Sequence, residues 1–264
     1  LARSMGSQVF VKPMEHQNIR TLINVRRTML KNRARTDALI QSIFRLYGGN
    51  VKLLNGRGAL AAEVNDQVRK MRQHELEIGV NLQPLVEIAE ALREQISILD
   101  RQMRDIASNN PTCRNFQTIP GVGAVIALSF YSAIGDPYRF ERSRDVGAYL
   151  GLTPTLYQSG ATSRRGRISR HGNKLTRMHL ITAATVLLCR IEIESRLRTW
   201  GLELAQRVGF LKARVAVARK LAVIMLGMWK SGSPFRPDGT SSLFLQQEEA
   251  GLDPVLISGT QISL

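Results

Sequence analysis

Cysteine is scarce in this 264-residue chain, which holds only Cys113 and Cys189. Two cysteines cannot build a disulfide framework, and without a CxxC pair or a Cys/His cluster nothing suggests structural zinc. A reducing compartment, the cytoplasm, is the expected location. Aromatic residues make up 6% of the chain, which argues against base-stacking RNA modules and for binding directed at phosphates. Long apolar runs are missing too: Ile181–Cys189 and Leu221–Met228 fall well short of the ~20 residues that a membrane span needs. No apolar signal-peptide core opens the chain, so no membrane partner is expected. Acidic side chains are in deficit. Against 21 Asp and Glu stand 37 Lys and Arg, a net charge of +16, which points to a polyanionic partner, nucleic acid before an anionic membrane surface. The remaining composition, 44% hydrophobic and 22% charged, is that of a folded chain with one large domain or two modest ones.

Helical periodicity dominates the first 110 residues. Ile19, Leu22, Ile23, Met29, Leu30, Leu39, Ile43 and Leu46 recur at helical spacings from Glu15 to Tyr47, until Gly48-Gly49-Asn50 stops the run. After the turn-rich stretch Val51–Arg57, a further helix is expected from Gly58 to about Glu77. Leu82, Leu85, Ala89, Leu92, Ile96, Leu99, Met103 and Ile106 then alternate spacings of three and four, an a/d heptad seam. Two arrangements fit that seam. It can pair with a second copy as a coiled coil, or with the Glu15–Tyr47 helix as an antiparallel hairpin inside one chain. Asn109-Asn110-Pro111 ends it. Beyond, Lys174–Leu188 and Phe210–Trp229 are apolar enough for buried helices. The expected fold class is therefore mainly α. Residues 1–110 form linker helices with a helical hairpin or coiled coil, and residues 111–230 form a helical C-terminal domain. A flexible tail rich in proline, glycine and serine covers 231–264.

Two constellations carry chemistry. The first is Ile119-Pro120-Gly121-Val122-Gly123 opening a helix, the pattern of a helix-hairpin-helix element, in which backbone N–H groups at the helix start can hold a phosphate. A plain helix-connecting turn satisfies the same residues. The second runs from Ser159 to Lys174, where Arg164, Arg165, Arg167, Arg170 and Lys174 alternate with small residues and no acid intervenes. A flexible loop of this kind holds phosphate oxygens through bidentate guanidinium groups. A serine among such cations can serve as nucleophile at phosphorus, though Ser159 in a Ser-Gly pair is equally a turn residue. His16, His74, His171 and His179 form no metal-binding spacing, and no P-loop, dinucleotide-binding or kinase signature occurs.

Taken in order, the IPGVG turn, the G-D-x-x-R-F segment, the G-L-x-P step, the Ser-Gly pair and G-x-I-x-x-x-G-N resemble the C-terminal domain of IS116/IS110/IS902-type insertion-sequence transposases, over about residues 112–190. The resemblance implies a DNA-strand recombinase that joins a metal-binding RuvC-like domain to a domain bearing a catalytic serine, with an RNA guide directing target choice. Matched motif to motif, the nucleophile falls on Ser159, with Ser163 a weaker candidate. DNA contacts fall on Gly121, Gly123, Arg164, Arg165, Arg167, Arg170 and Lys174. The RuvC-like domain would precede the segment QVFVKP, so its carboxylates and magnesium are expected there and no cofactor in this chain. The Leu1 start fits an N-terminally truncated product that binds DNA but does not recombine it alone. The partners expected are DNA, a guide RNA and a second copy through the coiled coil. The alternative is a non-catalytic nucleic-acid-binding regulator of the full-length transposase.

Overall fold

The computed structural model describes residues 10–54, 56, 58–70, 76–159 and 162–238. The chain is mainly α. In order come α1 (Met14–Leu46), α2 (Ala59–Arg69), α3 (Leu76–Asn109), α4 (Pro111–Gln117), α5 (Ala124–Ile134), α6 (Asp145–Tyr149), strands β1 (Pro154–Ser159) and β2 (Thr162–Ile168), α7 (Lys174–Cys189), α8 (Arg196–Val208) and α9 (Phe210–Ser231). They form two compact units, Thr21–Asp105 and a second made of Leu1–Arg20 with Ile106–Leu264.

In the first unit the heptad seam turns inward. Leu82, Ala89, Ile96 and Met103 are buried, and Leu85, Leu92 and Leu99 are half-buried. Ile40, Phe44 and Val51 from α1 and the turn after it, Leu60 and Val64 from α2, and Leu82, Val86 and Ala89 from α3 form one apolar cluster. Two ion pairs give the direction of packing. Arg93 donates to Asp37 at 2.8 Å, and Arg26 pairs with Asp100, so numbers fall along α1 as they rise along α3. The helices are antiparallel and the seam is filled by its own chain. Helix α2 starts at Gly58, which has no side chain to cap it. The Glu90 carboxylate takes over that role, accepting from the N–H groups of Gly58, Leu60 and Ala61 at 3.2, 3.0 and 3.3 Å.

The second unit is built around α9, whose segment Leu221–Met228 is buried throughout, with α4, α7 and α8 packed against it. Close approach is possible because the contact positions are small. A Cβ on Gly201 of α8 would sit 2.7 Å from Val217 Cγ2 and 2.8 Å from Leu188 Cδ2. The residues before α1 belong to this unit. Lys12 donates to the Ser132 and Ala133 carbonyls at the end of α5, the place where a cation meets orphan carbonyls and the negative end of the helix dipole. Burial, then the charges of Arg20 and Arg139, pull its amine down to about 8.

Four features depart from the sequence expectations. Helix α2 ends at Arg69 instead of running on to about Glu77, and α3 already begins at Leu76. The stretch expected as a flexible cationic loop is an antiparallel hairpin: β1 pairs with β2, with Ser159 opposite Thr162 and Pro154 opposite Ile168. Helix α8 was not expected at all. The start of the expected flexible tail is tied down, because Asn115 donates to the Gly232 carbonyl at 2.8 Å, Phe235 N–H to Thr118 Oγ1 at 2.8 Å, and Arg196 N–H to the Pro237 carbonyl at 3.0 Å. The rest of that tail, residues 239–264, lies outside the described residues.

Candidate functional site

The hairpin carries the densest set of candidate residues. Ser159 is the last residue of β1, and Ser163 pairs with Gln158, so the two serines stand on adjacent rungs of the ladder. Arg164 and Arg165 pair with Tyr157 and Leu156. The side chains of Ser159, Ser163, Arg164 and Arg165 lie outside the described residues. Two residues of β2, Gly166 and Arg167, fall between the partners of Pro154 and Leu156, where the register shifts; such bulges bend and twist a ribbon. Arg167 is exposed, and so are Arg170 and Lys174. Among the described residues, none of these three has a carboxylate in ion-pair reach, which leaves their charge available to an anion.

Beyond β2 the chain docks backbone against backbone. Ser169 N–H donates to the Thr153 carbonyl at 2.8 Å and Arg170 N–H to the Gly151 carbonyl at 3.2 Å. Gly151 and Gly172 have φ of +67° and +75°; a Cβ on Gly151 would meet the His171 carbonyl oxygen at 2.3 Å, and one on Gly172 the Tyr149 carbonyl oxygen at 2.0 Å. Only glycine fits either place. Arg170, between them, is the one described non-glycine residue at positive φ, +58°. That conformation costs of the order of 1–3 kcal/mol for a side-chain-bearing residue and persists because its surroundings impose it. Asn173 then caps α7, accepting from Leu175 N–H at 3.0 Å and Thr176 N–H at 3.1 Å, so Lys174 stands in the first turn.

The PGVG turn joins α4 to α5. Gly121, at φ +88°, packs on the middle of α7, where an added Cβ would lie 3.1 Å from the Ala183 carbonyl oxygen; Gly123 is exposed, caps α5 and has open space around it. Gly121 therefore acts as a packing glycine. It meets α7 nine residues beyond Lys174, about 14 Å along the helix axis, so it and Lys174 lie well apart on that helix.

Sequence reasoning missed the residues that hold the site in place. Arg177 is 7% exposed and donates through Nη1 to the Leu150 carbonyl at 2.8 Å and the His171 carbonyl at 2.9 Å. Burial, then the Arg170 charge, lowers its pKa. The signal was its register: Arg177 shares the buried stripe of α7 with Leu180, Ala184 and Leu187, where a cation needs partners. Arg139 of the G-D-x-x-R-F segment lies over the rings of Phe10, Tyr149 and Phe140 at 4.3, 5.3 and 5.6 Å, a cation stacked among aromatics.

Among the described residues no group of three or more His, Cys, Asp or Glu is placed to hold a metal ion. No described helix is long and apolar enough to cross a membrane.

Over the segment that carries the serine- and arginine-bearing hairpin the chain resembles insertion-sequence transposases. The model of the transposase IS116/IS110/IS902 family matches residues 113–199, the segment from α4 into α8 that contains the hairpin. Residues 113–199 are thus similar to this family. It is 29% identical over 248 residues to the transposase for insertion sequence element IS1111A of Coxiella burnetii, covering 89% of this chain and 65% of that one. Over 145 residues it is 33% identical to the transposase for insertion sequence element IS1328 of Yersinia enterocolitica, 54% of this chain and 43% of that one. A probable family 20 transposase of Pseudomonas aeruginosa is 28% identical over 232 residues, 86% of this chain and 68% of that one. The chain thus spans about two thirds of the length of the Coxiella and Pseudomonas relatives and under half of the Yersinia one.

Proposed function

We propose that the chain is the serine-bearing part of an insertion-sequence transposase, which grips DNA through phosphates and offers Ser159 as the nucleophile of strand transfer. The observation that carries this reading is the hairpin inside the family segment, with Ser159 at its turn and Arg164 and Arg165 on the partner strand. Arg167, Arg170 and Lys174 extend the cationic surface down the stem and into α7, and Gly123 adds exposed backbone at the start of α5. The guanidinium groups position the phosphate and offset charge as the serine oxygen bonds to phosphorus and the leaving strand departs. The metal-binding carboxylates come from a RuvC-like domain of the whole protein, and a guide RNA directs the choice of target. The setting is the cytoplasm, where the element's DNA lies.

Salt titration of DNA binding tests the phosphate grip. A protein that neutralises about 6–10 phosphates loses about 10³–10⁵ in affinity between about 50 and 200 mM salt. Filter binding should give that slope for this chain, and a salt-independent affinity would remove the basis of the proposal.

A further inference from the structure

The hairpin is long relative to its foothold. From Pro154 to Ser159 there are five residue rises of about 3.3 Å, so the serine stands about 17 Å from the stem. At that stem Ser169 N–H donates to the Thr153 carbonyl and Arg170 N–H to the Gly151 carbonyl, joining the two legs, Leu152 N–H donates to the Gly147 carbonyl of α6, and Arg177 donates to both Leu150 and His171. On a lever of that length a rocking of about 10° at the stem moves the far end by about 3 Å, and a misplacement near 1 Å can cost ~10²-fold in rate. Main-chain bonds between two turns do not themselves stop such rocking. Arg177 is rooted in the buried stripe of a 16-residue helix, and one guanidinium nitrogen reaches both the turn that leads into β1 and the turn that leaves β2.

We propose that Arg177 is a positioning residue for the transposase hairpin: it clamps both ends of the stem to α7 and so sets where Ser159 stands relative to bound DNA. The inference rests on the serine reading for its consequence, but the clamp itself is read from geometry. Two differences from the phosphate-binding arginines follow. Arg177 is buried, so it touches no DNA, and its loss should spread the positions of the hairpin end without weakening DNA binding.

The test measures the hairpin end directly in this chain. Cys189 is exposed and takes a spin label, whereas Cys113 is buried, its thiol pushed up to about 12, and is spared. A second label at Gln158→Cys reports the hairpin. The distance distribution between the two labels should be narrow in the parent, broaden by several Å in Arg177→Met, and broaden less in Arg177→Lys, which keeps one donor for one carbonyl. Leu204→Ala, in the α8–α9 cluster away from the stem, lowers the melting temperature and should leave the distribution narrow. If Arg177→Met does not fold, Arg177→Lys decides. An unbroadened distribution in a folded Arg177 variant, or equal broadening by Leu204→Ala, overturns the clamp. So does a loss of DNA affinity in Arg177→Lys matching that of Arg170→Ala. Failure of Ser159 to bond to DNA would refute the proposed chemistry and leave these distances unaffected, so the two failures are distinguishable.

Discussion

Helix α3 closes the unit Thr21–Asp105 with a repeated apolar seam and two charged clasps, Arg93 on Asp37 and Arg26 on Asp100. Around α9 the C-terminal unit closes differently, with small residues, glycines at forced conformations and a buried arginine bonded to carbonyls. A seam tolerates change because each rung contributes a little. A backbone-to-backbone contact has no slack, because a single Cβ removes it. The part of the chain with the proposed nucleophile and the cations is therefore the part with the least tolerance.

The largest effect should come from the stem. Gly172→Ala places a Cβ 2.0 Å from the Tyr149 carbonyl oxygen at φ +75°, so strain and overlap add, and a loss of about 4 kcal/mol is expected. Both tryptophans, Trp200 and Trp229, lie in the C-terminal unit, so tryptophan fluorescence in urea reads that unit alone. It should shift to much lower denaturant, while circular dichroism retains a later transition from the unit Thr21–Asp105. A single shared shift would show that the units do not unfold separately.

A smaller loss is expected from the clasp. Asp37→Ala leaves Arg93 buried without its carboxylate. The cost of breaking a buried pair is about 3–5 kcal/mol, reduced here to about 2–3 because Arg93 still donates to the Leu54 and Ala89 carbonyls. Here circular dichroism should move and tryptophan fluorescence should not, the reverse of the glycine variant.

The smallest effect is a pH dependence. His16 is buried, stacked on Tyr131 at 4.3 Å, and bonded through Nδ1 to the Tyr131 carbonyl at 3.2 Å. Burial lowers its pKa below the usual 6.5, with the Tyr131 bond and Glu15 opposing and Lys12 adding to it. The unfolded imidazole takes up its proton first as pH falls. The stability that His16 contributes is therefore complete above pH 6.5 and is lost progressively below it. Fluorescence melts from about pH 7.5 down to about 5.5 should show this loss, and His16→Phe should flatten it.

The same contrast decides what could be read from sequence. Helices α1 and α3 carry long apolar periods, Ile19–Leu46 and Leu82–Ile106, so their existence and inward faces were legible, as were the Gly48 stop and the Asn109-Asn110-Pro111 break; the start of α3 was not, because Leu76 and Glu77 fall at the end of the helix expected from Gly58. The apolar runs of α7 and α9 were equally plain. The hairpin was not, because Thr162-Ser163-Arg164-Arg165-Gly166-Arg167 has no alternation of apolar residues to mark a strand; its pairing depends on the docked stem. Helix α8 was hidden by its arginines and Glu203 around the buried Leu197, Gly201 and Leu204. Arg177 read as one more cation in a basic chain, since its carbonyl partners lie 6 and 27 residues away along the sequence. Ser159 was found through the order of motifs, which places it in the chain but says nothing about what holds it.

That serine is the most direct point of attack on the whole account. The chain, joined to the preceding domain of a close relative, should be incubated with a DNA substrate nicked to trap a covalent intermediate, and the protein–DNA adduct mapped by peptide mass spectrometry. The account predicts DNA linked to the peptide through Ser159, an adduct lost in Ser159→Ala and kept in Ser163→Ala, with DNA affinity unchanged in both. An adduct that survives Ser159→Ala and maps to Ser163, or a joined protein that binds DNA and forms no adduct, would contradict it.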